Sequence, residues 1–198
     1  MKWGGRELIL FGGVALLFLG YAGVTHAEDS IDMDSPSFYK WDKLLRKYCD
    51  QYGVPWRWAK AIMWNESSFG DARSVANGLR EPSDTEASVS FDGLSWGLMQ
   101  TTLETARRYR PNIQAMDLNK PEISIEVGVR ELARLYAWAR NLKNRTLEVR
   151  EYVVRAYNGG QGFLNTVQGR TMTPVYYRRF VDHLDKIKKL QPGDDLET

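Results

Sequence analysis

Glu66 is the first residue whose surroundings suggest chemistry. It lies in Ala61-Ile62-Met63-Trp64-Asn65-Glu66-Ser67-Ser68-Phe69, near the end of an apolar helical run, with Trp64 and Phe69 close by in sequence. Rings beside a carboxyl strip its water, raise its pKa and hold it protonated near neutral pH. Such a group can protonate a leaving oxygen, as the general acid at a glycosidic bond must. A surface glutamate at a helix end has the same local pattern, so this segment alone does not decide. Two other segments carry polar groups in exposed-turn contexts. Ser95-Trp96-Gly97-Leu98-Met99-Gln100 sets a glycine between large apolar residues, which permits close backbone approach, and Gln100 offers an amide. Ala156-Tyr157-Asn158-Gly159-Gly160 reads as a helix end that projects Tyr157 and Asn158 beside a flexible turn.

Three further features have weaker readings. Asp92 could hold a water opposite an acid, which would make a two-carboxylate hydrolase; as a loop aspartate it would cap a turn. His183 has no His or Cys partner at metal-binding spacing and reads as a helix surface residue, so no metal site is expected. The run Asn158-Gly159-Gly160-Gln161-Gly162 lacks the lysine and the preceding strand that a phosphate cradle needs.

These residues must be positioned by helices. Ser35-Pro36 offers an N-cap and a first-turn proline; Phe38, Trp41, Leu45, Tyr48 and Tyr52 follow at helical spacing until Gly53. Pro55 starts a second helix that carries Glu66. Thr101-Thr102-Leu103-Glu104 has capping-box spacing and opens a helix that runs to Pro111. Pro121 to about Lys143 predicts the longest helix, Thr146 to Tyr157 another, and Pro174 opens the last through Tyr177, Phe180, Leu184 and Ile187. No stretch alternates as a strand, so the fold class is all-α. The segment 71–94 has no period and reads as a long loop, a feature more often functional than idle.

Composition bounds the rest. The 198 residues allow one sizeable core. A net charge of +2 is too small to point to nucleic acid. The single cysteine, Cys49, rules out an internal disulfide framework and a cysteine-based zinc site, and reads as a small core residue. Leu8 to Val24 carry no charge and follow Lys2 and Arg6, the pattern of an export signal cut after Ala27 or of a retained membrane anchor through residues 8–24. The domain organisation expected is therefore 1–27 signal or anchor, 28–190 one globular domain, and 191–198 a disordered acidic tail. Seven Trp, ten Tyr and seven Phe exceed what a small core obviously needs. Trp64, Phe69, Trp96, Tyr157, Tyr176 and Tyr177 fall near the polar motifs, where rings could desolvate an acid and stack on sugars.

Taken together in order and spacing, Glu66-Ser67-Ser68-Phe69, Gly97-Leu98-Met99-Gln100 and Ala156-Tyr157-Asn158-Gly159-Gly160 resemble the lytic transglycosylase catalytic domain, which shares its fold with goose-type lysozyme. The likeness begins at Tyr52-Gly53-Val54-Pro55. It continues through Pro121 to Gly128, with Ser124 where asparagine is usual, and extends to Tyr177-Arg178-Arg179-Phe180-Val181. It implies a lysozyme-like helical domain in which Glu66 is the single acid and base. The substrate would be the glycan strand of peptidoglycan, cleaved between N-acetylmuramic acid and N-acetylglucosamine to leave 1,6-anhydro ends, with no cofactor. Gln100, Tyr157 and Asn158 would hold sugars. Tyr177, or Tyr176 if the alignment moves by one, would hydrogen-bond the catalytic carboxyl. Ser90, with Ser74 as rival, would lie near the glycan N-acetyl group. The implied partner is peptidoglycan. A small domain with an export signal equally suits cell-wall remodelling or work beside secretion, conjugation or phage machinery, in a protein exported to the periplasm, anchored in the inner membrane facing it, or carried on a phage virion. A water-using lysozyme of the same fold and a non-catalytic wall-binding or assembly module are the competing readings.

Overall fold

Trp56 to Trp64 sets apolar or ring-bearing residues on every side, and a helix apolar all round belongs inside. The computed structural model describes residues 36–70 and 93–193, and in it this segment is the central helix α3 (Trp56–Ser67), buried at every position from Trp56 to Trp64. Two helices precede it, α1 (Pro36–Tyr39) and α2 (Asp42–Tyr52). Gly53 closes α2 in the left-handed conformation (φ 67°), which a glycine adopts without a Cβ clash. After α3 come β1 (Ser95–Trp96), β2 (Thr101–Thr102), α4 (Leu103–Arg107), α5 (Pro121–Arg140), α6 (Val149–Gly159) and α7 (Val167–Leu190). The two strands form a minimal antiparallel pair, Ser95 opposite Thr102 and Trp96 opposite Thr101, that closes the 97–100 turn. Among the described residues the remaining elements are helices joined by turns, as the spacing predicts.

Helix α3 packs mainly on α7 and α2, while α5 packs on α2 and α6, and α6 on α7. Leu45, Ile62, Leu132, Val154, Phe180 and Leu184 meet in one core drawn from five helices. Cys49 is part of it, fully buried, and burial pushes its thiol pKa up. A smaller cluster of Ala106, Ile113, Leu118 and Val127 seats α4 and the 3₁₀ turn Ala115–Asn119 against α5.

Several boundaries differ from the sequence reading. The last helix opens at Val167, not Pro174: the Thr166 hydroxyl accepts from Gly169 N–H at 2.9 Å, and Pro174 lies inside the helix. Thr102, rather than Thr101, caps α4 through Thr105 N–H at 3.2 Å. His183 is not a surface residue. It is buried on α7 with its ring stacked on Trp64, centroids 4.1 Å apart. The 1–27 segment with its anchor reading, most of the 71–94 loop with Ser74, Ser90 and Asp92, and the last residues of the tail lie outside the described residues. Among the described residues no helix is long and apolar enough to cross a membrane.

One buried cation ties the ends of this arrangement together. Lys60 has no exposed side-chain surface, and its ammonium donates to Asp42 Oδ1 at 2.6 Å and Gln191 Oε1 at 2.8 Å. The same ammonium lies 3.9 Å from the centroid of Phe38. Gln191 in turn donates to Asp42 Oδ2 at 2.5 Å, and its carbonyl accepts from Arg57 at 2.6 Å. The end of α7 is thus latched to the start of α2 through α3. Removing one member leaves the other charge without its partner in a poorly solvated place, at a cost of about 3–5 kcal/mol. Lys60→Ala is expected to lower the unfolding free energy from urea titration by that amount, with an unchanged denaturant slope. A shift under about 1 kcal/mol would show that the latch adds little.

Candidate active site

Glu66 is the last residue but one of α3, and the chain beyond it turns sharply. Ser68 (φ 50°) and Phe69 (φ 61°) are both left-handed, a conformation that costs a non-glycine residue about 1–2 kcal/mol. Buried contacts hold the turn. Phe69 packs 5.6 Å from both Trp64 and Phe38 by ring centroid, and its carbonyl accepts from the Trp41 indole at 3.3 Å. The Ser67 hydroxyl donates to Leu98 carbonyl at 2.7 Å and so fastens the helix end to the 97–100 turn.

The Glu66 carboxyl is held by α7. Tyr176 donates its hydroxyl to Glu66 Oε1 at 2.6 Å, and the Tyr176 carbonyl accepts from the Asn65 amide at 3.2 Å. Loss of solvation pushes the Glu66 pKa up to about 7, against the opposing pull of the Tyr176 hydrogen bond and the nearby positive charge of Arg179. Burial and the Glu66 charge raise the Tyr176 phenol well above its ordinary value, so it stays a donor. The hydrogen bond expected of Tyr177 therefore belongs to Tyr176. Tyr177 stacks on Phe180 at 6.0 Å, and its hydroxyl accepts from Arg150 at 3.3 Å.

The 97–100 turn is the opposite support. Gly97 (φ 75°) lies so near the 3₁₀ turn that a Cβ there would sit 1.9 Å from Leu118 carbonyl and 2.5 Å from Ser124 Oγ. Ser124, where the resemblance leads one to expect asparagine, accepts from Met99 N–H at 3.1 Å. Tyr157 donates to Met99 carbonyl at 2.8 Å. Gln100 has a positive φ of 44°, and its side-chain amide donates to Gly97 carbonyl at 2.8 Å within the turn. Burial first, then the charges of Glu66 and Glu131, raise the Tyr157 phenol well above its ordinary value. Asn158 follows on the same helix end, and its Oδ1 is shielded with no partner among the described residues.

Glu66, Gln100, Tyr157 and Asn158 are thus brought to one region by α3, the 97–100 turn and α6. Tyr176 and Arg179, three residues apart on α7, complete it. Arg179 had no signal of its own in the sequence beyond that spacing. Trp64 and Phe69, each 2% exposed, lie in the core and offer no face to a sugar, contrary to part of the groove role suggested by their position in sequence. Among the described residues no group of three His, Cys, Asp or Glu is placed to hold a metal.

A family model described as Transglycosylase SLT domain matches residues 43–178, more than half of the chain. The chain belongs to that family. No curated protein matches the chain significantly. The matched residues run from α2 to the start of the Tyr176–Arg179 face of α7, so the SLT domain covers Glu66, the 97–100 turn, the end of α6 and Tyr176. Membership gives the chain a lytic transglycosylase-type function acting on peptidoglycan.

The raised pKa of Glu66 has a direct thermodynamic consequence. Between about 4.5, the ordinary value, and about 7 the native SLT domain holds a proton that the unfolded chain releases. Stability from this group is full below about pH 4.5 and is lost as pH rises through about 7. Glu66→Gln is therefore expected to be more stable than the parent at pH 8, by up to about 3 kcal/mol, with the gap closing toward pH 4.5 in urea titrations. Tyr176→Phe removes a bond that favours the charged carboxylate, so it should move the upper end of this window to higher pH. Tyr177→Phe should leave the window where it is.

Proposed function

We propose that this SLT domain cleaves the β-1,4 bond between N-acetylmuramic acid and N-acetylglucosamine without using water, with Glu66 as its single acid and base. The observation that carries the reading is the Glu66 carboxyl itself: desolvated, with a pKa near 7, and accepting a 2.6 Å hydrogen bond from a tyrosine that stays protonated. An acid poised near the working pH can give its proton and take one back.

In the first step the Glu66 proton passes to the glycosidic oxygen, the bond to the muramic acid anomeric carbon breaks, and the leaving sugar departs as an alcohol. The anomeric carbon becomes electron-poor, and Glu66 is left as a carboxylate. The Tyr176 hydroxyl and the Arg179 charge stabilise that carboxylate. In the second step the carboxylate removes the proton of the muramic acid 6-hydroxyl, whose oxygen bonds to the anomeric carbon. Glu66 ends protonated as it began, and the product is a 1,6-anhydro sugar. Tyr157 holds the Met99 carbonyl and, with Asn158 and Gln100, forms the polar lining against which the sugars lie; Ser90 is the proposed contact to the N-acetyl group.

The apolar run at residues 8–24 supports export, with the domain in the periplasm or anchored in the inner membrane facing it. That setting fits an enzyme working beside secretion, conjugation or phage machinery that must pass the wall.

Purified peptidoglycan sacculi digested with the protein should yield muropeptides ending in 1,6-anhydro-muramic acid by mass spectrometry. Glu66→Gln should lower the cleavage rate about a thousandfold or more while still binding sacculi. The parent rate should fall as pH rises through about 7, because the acid form is lost. Reducing ends in place of anhydro ends would sink the water-free route, and a fully active Glu66→Gln protein would sink the assignment of the acid.

A further inference from the structure

A second carboxylate network lies beside Tyr157, outside the three motifs. Glu131 on α5 is 9% exposed and accepts the Tyr109 hydroxyl at 2.6 Å. Arg134, one turn further along α5, grips it with two bonds, Nε to Oε2 at 2.9 Å and Nη2 to Oε1 at 2.6 Å. A paired guanidinium held this way has little freedom, and its charge is largely neutralised. Its remaining nitrogen, Nη1, donates to Oε1 of Gln161 at 3.1 Å.

That last bond fixes an orientation. A guanidinium only donates, so the Gln161 atom facing it is the oxygen, and the amide nitrogen is turned the other way. Gln161 sits three residues past Asn158 in the turn that follows α6, between Gly160 and Gly162. A Cβ at either glycine would meet nothing within 4 Å, so the turn is open on both sides of Gln161. The chain thus sets a pre-oriented, uncharged N–H donor three residues past Asn158, whose Oδ1 acceptor is shielded and unpartnered among the described residues. A rigid neutral donor suits a neutral acceptor oxygen, such as a sugar hydroxyl or an N-acetyl carbonyl, better than it suits an ion.

We propose that Gln161 is a further glycan-binding residue, its side-chain amide held by Arg134 and Glu131 so that it donates to an acceptor oxygen of an N-acetylated sugar lying beside Tyr157 and Asn158. This rests on peptidoglycan being the substrate. Gln161 makes uniform binding contact away from the reacting carbon, so it acts on KM and leaves kcat nearly unchanged.

The test compares the parent, Gln161→Glu and Gln161→Met in the full chain, acting on purified peptidoglycan sacculi. Gln161→Glu keeps an oxygen for Arg134 and so keeps the turn tied, but it has no N–H to give. Gln161→Met keeps the length and lacks both. Both variants should raise KM about fivefold to tenfold, with kcat within twofold of the parent, the loss of one hydrogen bond to a neutral partner. The same two changes in a Glu66→Gln background should weaken pelleting with sacculi by the same factor. A parent-like KM for Gln161→Glu would overturn the proposal, because the residue would then only tie the turn to Arg134. A parent-like KM for Gln161→Met with a raised value for Gln161→Glu would overturn it equally, by showing a charge effect. Should the parent bind sacculi but release no anhydro ends, the reaction reading fails while the pelleting comparison still decides the role of Gln161.

Discussion

A carboxyl that gives a proton and then takes one must be dry enough to stay protonated near neutral pH and still be able to ionise. For Glu66, in the role proposed for it, burial at the end of α3 supplies the first condition, and groups on α7 supply the second. The Tyr176 hydroxyl and the Arg179 charge both favour the carboxylate, and they stand three residues apart on one face of the helix. His183, four residues further, stacks on Trp64 of α3 and so pins the same pair of helices at a second point. Burial first, with the charges of Arg179 and Lys186 behind it, lowers the His183 pKa to about 3, so this ring stays neutral and adds no charge that would bias the acid. The acid strength of Glu66 is therefore set by how α3 and α7 pack.

The other wall of the site is fixed by bonds to two neighbouring backbone residues. Leu98 accepts from Ser67 of α3, Met99 donates to Ser124 of α5, and Met99 accepts from Tyr157 of α6. Three helices thus converge on a four-residue turn, and the close approach needed leaves no room for side chains at Gly97 or Gly128. The described residues other than glycine with positive φ are Ser68, Phe69 and Gln100, and all three belong to this region. Backbone strain persists only where surrounding contacts over-determine it. Here the buried ring of Phe69 and the internal amide bond of Gln100 do so.

The three motifs were visible in the sequence as rings beside a carboxyl, a glycine between large apolar residues and a helix stopped by two glycines; none decides alone, and it is their joint order and spacing that carries the family resemblance. The choice between Tyr176 and Tyr177 had no such signal. Adjacent helical residues point about 100° apart, and only the packed face tells which one turns inward. The stripe on α7 runs through Tyr176, Phe180, His183, Leu184 and Ile187, and a histidine within it hides the register from an apolar count. The start of α7 was hidden in the same way, since Gly169, Thr171, Thr173 and Pro174 all argue locally against helix. Those residues are kept helical by tertiary contacts, including the buried bond of Arg155 to Thr173 at 2.8 Å. The Glu131 network joins residues 109, 131, 134 and 161, which no sequence pattern links.

The abundance of rings bears on when the acid is prepared. Phe38, Trp64 and Phe69 meet edge to face or tilted within 5.6 Å of one another, and each is at most 2% exposed. They enclose the end of α3 and, through the Lys60 ammonium over Phe38, join it to the latch between α2 and the end of α7. None of these rings has surface to offer a ligand. The loss of solvation that raises the Glu66 pKa is accordingly a property of the folded chain, present before any glycan arrives. Environments fixed in advance need no reorganisation at the moment of reaction, and that is where electrostatic assistance is most effective. On the function proposed above, substrate binding falls to the polar groups of the 97–100 turn and the end of α6, which fits a chain of nearly balanced charge: Glu66 would be tuned from behind, and the sugar met by neutral hydrogen-bonding groups.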